Sequence, residues 1–158
     1  MITVFFENQE LCKKCGGECC KNMGCHFSPA DFETITYKGL KKEILKGNIS
    51  IDYWHGDIDT KVNRLRHTYY LRMRNKGAKI LDGSWGGQCV LWDSEKGCPL
   101  PFKERPKGAR ALIPGFPGRC DSKYTKEMCV MDWRLYHPVM KRLANFFSRE
   151  EFMEEKHG

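Results

Sequence analysis

The sequence predicts an α+β fold: a small irregular β-sheet with flanking helices, its loops organised by a cysteine-ligated metal centre. Three observations predict it. Short alternating or β-rich runs, "HTYYLRMRN" (67–75), "AKIL" (78–81) and "QCVLW" (88–92), fill the middle of the chain with the period of a strand. From residue 125 the period changes. Cys129, Trp133, Tyr136, Met140, Leu143 and Phe147 recur at spacings of four and three, one apolar stripe of a core-facing helix. Finally, five of the nine cysteines, Cys12, Cys15, Cys19, Cys20 and Cys25, crowd into residues 12–25.

The elements follow in order. "ITVFF" (2–6) reads as a short strand entering the cysteine loop, where Gly16, Gly17 and Gly24 permit tight turns. Ser28 has the character of a helix N-cap, with Pro29 at the first helical position and Asp31 in the first turn. Phe32, Ile35, Leu40, Ile44 and Leu45 continue a helical pattern, interrupted near Gly39 and closed by "GN" at 47–48. "NKG" and "DGSWGG" are turns between the β-rich runs. Pro138 should kink or divide the C-terminal helix, and "SREEFMEEKHG" should fray or extend as a short polar helix.

A chain of 158 residues fits one domain, residues 1–158, with a core region at 8–125 and a helical region at 125–158. Nine cysteines are about 6% of the chain, below the level of a small disulfide scaffold, and an odd number leaves one thiol over. "MITVFFENQE" lacks a basic n-region and reads as neither signal nor transit peptide. No apolar run approaches the ~20 residues that span a bilayer, and no membrane partner is expected. The expected compartment is the cytoplasm, where thiols stay reduced and clustered cysteines hold metal more often than they pair. The formal charge of +7 suggests an acidic partner. A zinc held by four thiolates would subtract two from it, so the charge is no nucleic-acid signature on its own.

Cys12-x2-Cys15 has the spacing at which a tight turn aims two thiolates at one metal. Cys89, Cys98 and Cys120 come from separate downstream loops, and zinc and iron–sulfur clusters both accept convergent thiolate sets. Cys19 and Cys20 are adjacent, so their side chains tend to point apart. Cys25 joins the candidate ligands, while the following His26 reads as a satisfied structural histidine. Cys129 lies on the apolar stripe and reads as a small core hydrophobe.

"C-x2-C-x3-CC" at 12–20 followed by "GQCVLWDSEKGCPLPFKERPKGARALIPG" at 87–115 resembles the CxxCxxCC cysteine-cluster family of zinc- or iron-chelating domains. The second block matches at Gly87, Cys89, Leu91, Cys98, Arg105, Pro106, Arg110 and Pro114. The resemblance implies a metal centre of zinc or iron. It departs at Ala109, where the family has a cysteine; replacement by Cys120 is expected, the other outcome being an open metal position. Flagellin lysine methylases are similar in the same pattern, and their iron–sulfur association keeps a cluster and an enzymatic role in view. A Gly-rich S-adenosylmethionine loop and the CX3CX2C pattern are both missing from the sequence, since Cys20 follows Cys19 at once.

Residues 61–81 hold seven Lys or Arg and no acid. Alternation places Tyr70, Arg72 and Arg74 on one face, either a solvated sheet face or one where Arg72 and Arg74 meet an anion, with a nucleic acid as the less favoured ligand. Arg105 and Arg110 would pair with carboxylates that hold the cysteine loop, or bind an anion beside the metal. "YWHGDID" (53–59) gathers His55, Asp57 and Asp59, read as a polar loop ahead of a proton-transfer or metal site. His67, His137 and His157 have no partner at ligand spacing. The function read from these residues is metal chelation through clustered cysteines, with zinc or an iron–sulfur cluster as cofactor and an unidentified peptide or small molecule as partner. The alternatives are an iron–sulfur-dependent modifying enzyme, lysine methylase-like, and a zinc-stabilised nucleic-acid binder.

Overall fold

The computed structural model describes residues 25–83, 88–93, 99–114 and 120–157, with the backbone alone at 102, 112–114, 120–122 and 151–157. The fold is α+β. Its centre is an antiparallel ribbon of β1 (Ile49–His55) and β2 (His67–Met73), in register from Ile49 opposite Met73 to His55 opposite His67. Helices α1 (Tyr37–Leu45), α2 (Lys107–Arg110), α3 (Lys126–Arg134) and α4 (His137–His157) surround it. A short second ribbon pairs β3 (Leu112–Pro114) with β4 (Cys120–Ser122). The strand expected at 2–6 and the turn at 84–87 lie outside the described residues. Among the described residues no helix is long and apolar enough to cross a membrane.

The core forms where α1, α3 and α4 lay their apolar faces on the ribbon. Leu40 and Ile44 from α1 meet Ile49 and Ile51 of β1 and Leu71 of β2, with Cys129, Val130 and Trp133 from α3 and Met140, Leu143 and Phe147 from α4. The C-terminal stripe therefore faces inward as expected, except for Tyr136, which is half-buried beside the break between α3 and α4. That break comes at Leu135–Tyr136, three residues before Pro138. Pro138 occupies the second position of α4, where its missing N–H breaks no helical bond.

The N-terminal helical pattern divides differently from expectation. Ser28 caps only one 3-10 turn, Pro29–Asp31, through a complete capping box, and Phe32 is extended. The helix proper starts later, because Thr36 accepts from the Gly39 amide at 3.1 Å and becomes a second N-cap. Gly39 lies inside the first turn, not at a break. A Cβ there would stand 2.7 Å from Thr34 Oγ1 and 2.9 Å from Thr36 Oγ1. The helix ends at Gly47, whose φ of +105° is the left-handed conformation that glycine adopts without strain.

The run 67–75 becomes β2. Residues 78–81 and 88–92 add only isolated bridges, Leu81 beside Ile51 and Cys89 beside Asn75. "ISIDYWH" (49–55), whose last three residues open the stretch expected to be a polar loop, is strand β1.

Candidate metal centre

Cys25 sits at the start of a segment fixed from three directions. Its carbonyl accepts from the Met73 amide at 2.8 Å, and the Phe27 amide donates to Leu71 O at 2.8 Å, so residues 25–27 run along the free edge of β2. From α3, Trp133 Nε1 donates to the Phe27 carbonyl at 2.7 Å and the Cys129 thiol donates to the same oxygen at 3.2 Å. From α2, the Gly108 amide donates to His26 O at 3.0 Å. His26 Nε2 lies 2.8 Å from Tyr124 O, and burial holds the imidazole below its ordinary pKa. It is a satisfied structural histidine. Cys129 is fully buried, and burial pushes its thiol far above the ordinary range, which fits the expected core role.

The second cysteine segment reaches the same place. Val90 N donates to Arg74 O and Lys76 N donates to Gln88 O, both at 2.7 Å, which sets Cys89 opposite Asn75. Cys89 is buried and packs with Met73, Phe27, Leu91 and Trp92. Segments whose cysteines are 64 residues apart in the chain thus meet along Met73–Lys76. Cys25, Cys89 and Cys129 are thiols in no disulfide. Two soft donors carried on separate, anchored segments suit a thiolate metal centre. Cys12, Cys15, Cys19, Cys20 and Cys98 lie outside the described residues, and among the described ones no group of three His, Cys, Asp or Glu gathers for a metal.

The block at 105–110 is anchored to the Cys25 segment and to the turn before it. Arg105 Nε donates to Leu100 O at 2.9 Å and holds the turn before α2. Asp31 accepts from the Ser28 amide at 2.9 Å and the Lys107 amide at 2.8 Å, and its other oxygen pairs with the Arg110 guanidinium. This is the carboxylate clamp expected for Arg110. Gly108, not singled out in the sequence, is close-packed: a Cβ would stand 2.7 Å from His26 O and 3.1 Å from His26 N. Ala109 therefore follows a residue in contact with the chain beside Cys25. Cys120 pairs with Pro114, while Lys123 N bonds to Ala111 O. That places Cys120 three residues along the ribbon from Ala111, roughly 10 Å at strand rise.

The basic face expected of β2 does not form. Arg72 is almost wholly buried. Its Nε donates to Asp52 Oδ2 at 2.9 Å and one terminal nitrogen to Asp82 Oδ2 at 2.8 Å, with further bonds to the carbonyls of Met73 and Asp82. Tyr70 donates to the same Asp52 oxygen at 2.6 Å. Arg74 reaches Ile44 O and Ile49 O at the end of α1 and start of β1. The Arg72 guanidinium is committed to buried carboxylates of the fold, which corrects its assignment to an anion, while Arg74 bonds to two backbone carbonyls. The sequence hides this because Asp52 and Asp82 reach the strand from 20 residues before and 10 residues after Arg72.

Asp57 is likewise a loop organiser. It accepts from Arg134 at 2.6 and 2.9 Å and from the amides of Asp59, Arg64 and Leu65, and the Arg134 guanidinium foremost holds its carboxyl well below the usual range. The polar-loop reading of 53–59 holds for its acids.

An open cavity of about 530 Å³ lies against this region, with Phe27, Phe32, Met73, Leu91 and Leu100 among its walls. Phe27, Leu91 and Leu100 each stand two residues after a cysteine, Cys25, Cys89 and Cys98. A family model, CxxCxxCC, described as a putative zinc- or iron-chelating domain, matches residues 11–130. Comparison with curated proteins and with solved structures finds no match.

Proposed function

The chain belongs to the CxxCxxCC family of zinc- or iron-chelating domains, and from that membership we propose that its two cysteine blocks form one thiolate metal centre at the end of β2. The observation that supports this is the meeting of the Cys25 and Cys89 segments along Met73–Lys76. Ligands would come from Cys12, Cys15, Cys19 and Cys20, from Cys25, and from Cys89 and Cys98. Cys25 is favoured over Cys120 to make good the cysteine missing at Ala109, because Gly108 rests on His26. The metal, zinc or an iron–sulfur cluster, would join two segments that are each bonded to β2 and pack together at Phe27, so its binding energy becomes folding energy.

Anaerobic purification with metal analysis and a visible spectrum tests this. At least one metal per chain is expected, lost in Cys12→Ser and Cys89→Ser and kept in Cys129→Ala. A colourless zinc protein and a brown one with a broad band near ~400 nm and bound sulfide distinguish the two metals. A chain purified without stoichiometric metal of either kind overturns the proposal. Full metal content in Cys25→Ser with loss in Cys120→Ser would reverse the assignment of the replacing ligand.

The cavity favours one second reading, a cluster-dependent modifying enzyme whose peptide or small-molecule substrate sits beside the centre. The spectrum of the loaded protein would then change when substrate is added, and Leu100→Trp, which fills the cavity, would abolish that change while leaving metal content intact. If the loaded spectrum ignores every peptide and small molecule offered, chelation alone stands.

A further inference from the structure

The ribbon's register brings together two imidazoles that the sequence separates by twelve positions. Gly56 N donates to Arg66 O at 2.7 Å, which makes Gly56 and Arg66 a hydrogen-bonded pair. His55 and His67, one step inward, are therefore a non-hydrogen-bonded pair, where facing side chains approach most closely. Their ring centroids are 5.7 Å apart, and the Tyr53 ring lies 5.3 Å from His55 and 4.9 Å from His67. His55 is exposed and His67 half-buried. Among the described residues, Nδ1 of His67 is shielded from solvent and meets no hydrogen-bond partner.

We propose that His55 and His67 chelate a borderline divalent d-block cation of the zinc and nickel class, in a site separate from the cysteines. Imidazole suits these ions. With metal–nitrogen bonds of about 2.0–2.1 Å and a ring centre about 1.1 Å beyond each nitrogen, two imidazoles at a tetrahedral angle have centroids roughly 5.2 Å apart. The observed spacing reaches that value with a shift of about half an ångström, well within side-chain adjustment. Burial foremost, then His55 and Arg66, holds the His67 ring below its ordinary pKa, so it is neutral and can donate a lone pair at neutral pH. Asp57 does not take part, because Arg134 and three backbone amides occupy its oxygens. Two protein donors leave the remaining positions to water, so this site binds more weakly than a thiolate set.

The test uses the untagged full-length chain with its cysteine centre as purified, titrated with nickel chloride at neutral pH and followed by imidazole NMR signals. The His55 and His67 rings are expected to broaden before those of His26 and His137. In His55→Gln the midpoint should rise about tenfold or more, as a chelate becomes a single donor. His55 is exposed, so that variant keeps the fold, and His67→Gln repeats the test from the other side. A smaller rise in His55→Gln, first broadening at another histidine, or no response into the millimolar range overturns the site.

Discussion

Arg72 shows how far a single residue's role depends on partners distant in the chain. Its place on the Tyr70 face of β2 follows from strand alternation, and that much was legible. The charge of its surroundings was not, since Asp52 enters from β1 and Asp82 from the bridge beside it. Removing Arg72 takes the one guanidinium that pairs with both Asp52 and Asp82 out of a buried setting. Arg72→Met is therefore expected to lose about 3–5 kcal/mol of stability, read as a shift of the urea midpoint with unchanged slope. A loss below about 1 kcal/mol would mean that water already screens Asp52 and Asp82. The same reasoning explains why His67 looked partnerless in the sequence: its neighbour is set by register, and register is a property of two strands.

Among the elements, the short helix α2 carries the most constraint for its size. Its amide at Gly108 holds His26, its first residue's amide holds Asp31, and its last residue's guanidinium pairs with the same carboxylate. Gly108→Ala would force the His26 backbone away, at a cost of about 1–3 kcal/mol. Because Cys25 precedes His26, metal content should fall along with stability. Calorimetry and metal analysis of the variant check both. Wild-type stability within about 0.5 kcal/mol would show that the contact relaxes freely. The arginine of this block was legible as a clamp, since a guanidinium near cysteine loops needs a carboxylate. The glycine was not, because close backbone approach leaves no periodic trace. The β1 strand was missed for a related reason: its residues Asp52, His55 and the following Asp57 carry polar signals that tertiary partners absorb.

For the whole molecule, the α+β class and the C-terminal stripe could be read from periodicity, and the cysteines from type and spacing. Their meeting place could not, because it depends on bonds between segments 64 residues apart. The helices also set a pH response. His137, at the start of α4, stacks on Tyr69 and faces Arg134, Lys141 and Asp57. Burial foremost, then Lys141 and Arg134, lowers its folded-state pKa from the ordinary value. The unfolded chain then binds more protons just below about pH 6.5, so stability is full above that value and falls as pH drops through it. His137→Gln should flatten part of that fall in urea titrations between about pH 7.5 and 5.5. An equal fall in the variant would assign the loss to other groups.

The path of residues 25–27 and 88–90 has one more meaning. A two-stranded ribbon exposes a row of unpaired backbone donors and acceptors on each side, a template for joining another chain. Here the far side of β1 is met by Ile80 and Asp82, and the far side of β2 by the segments carrying Cys25 and Cys89. Holding residues 25–27 and 88–90 in place thus also keeps β2 from becoming an open edge, so the backbone that carries Cys25 and Cys89 doubles as a cover against pairing with another strand.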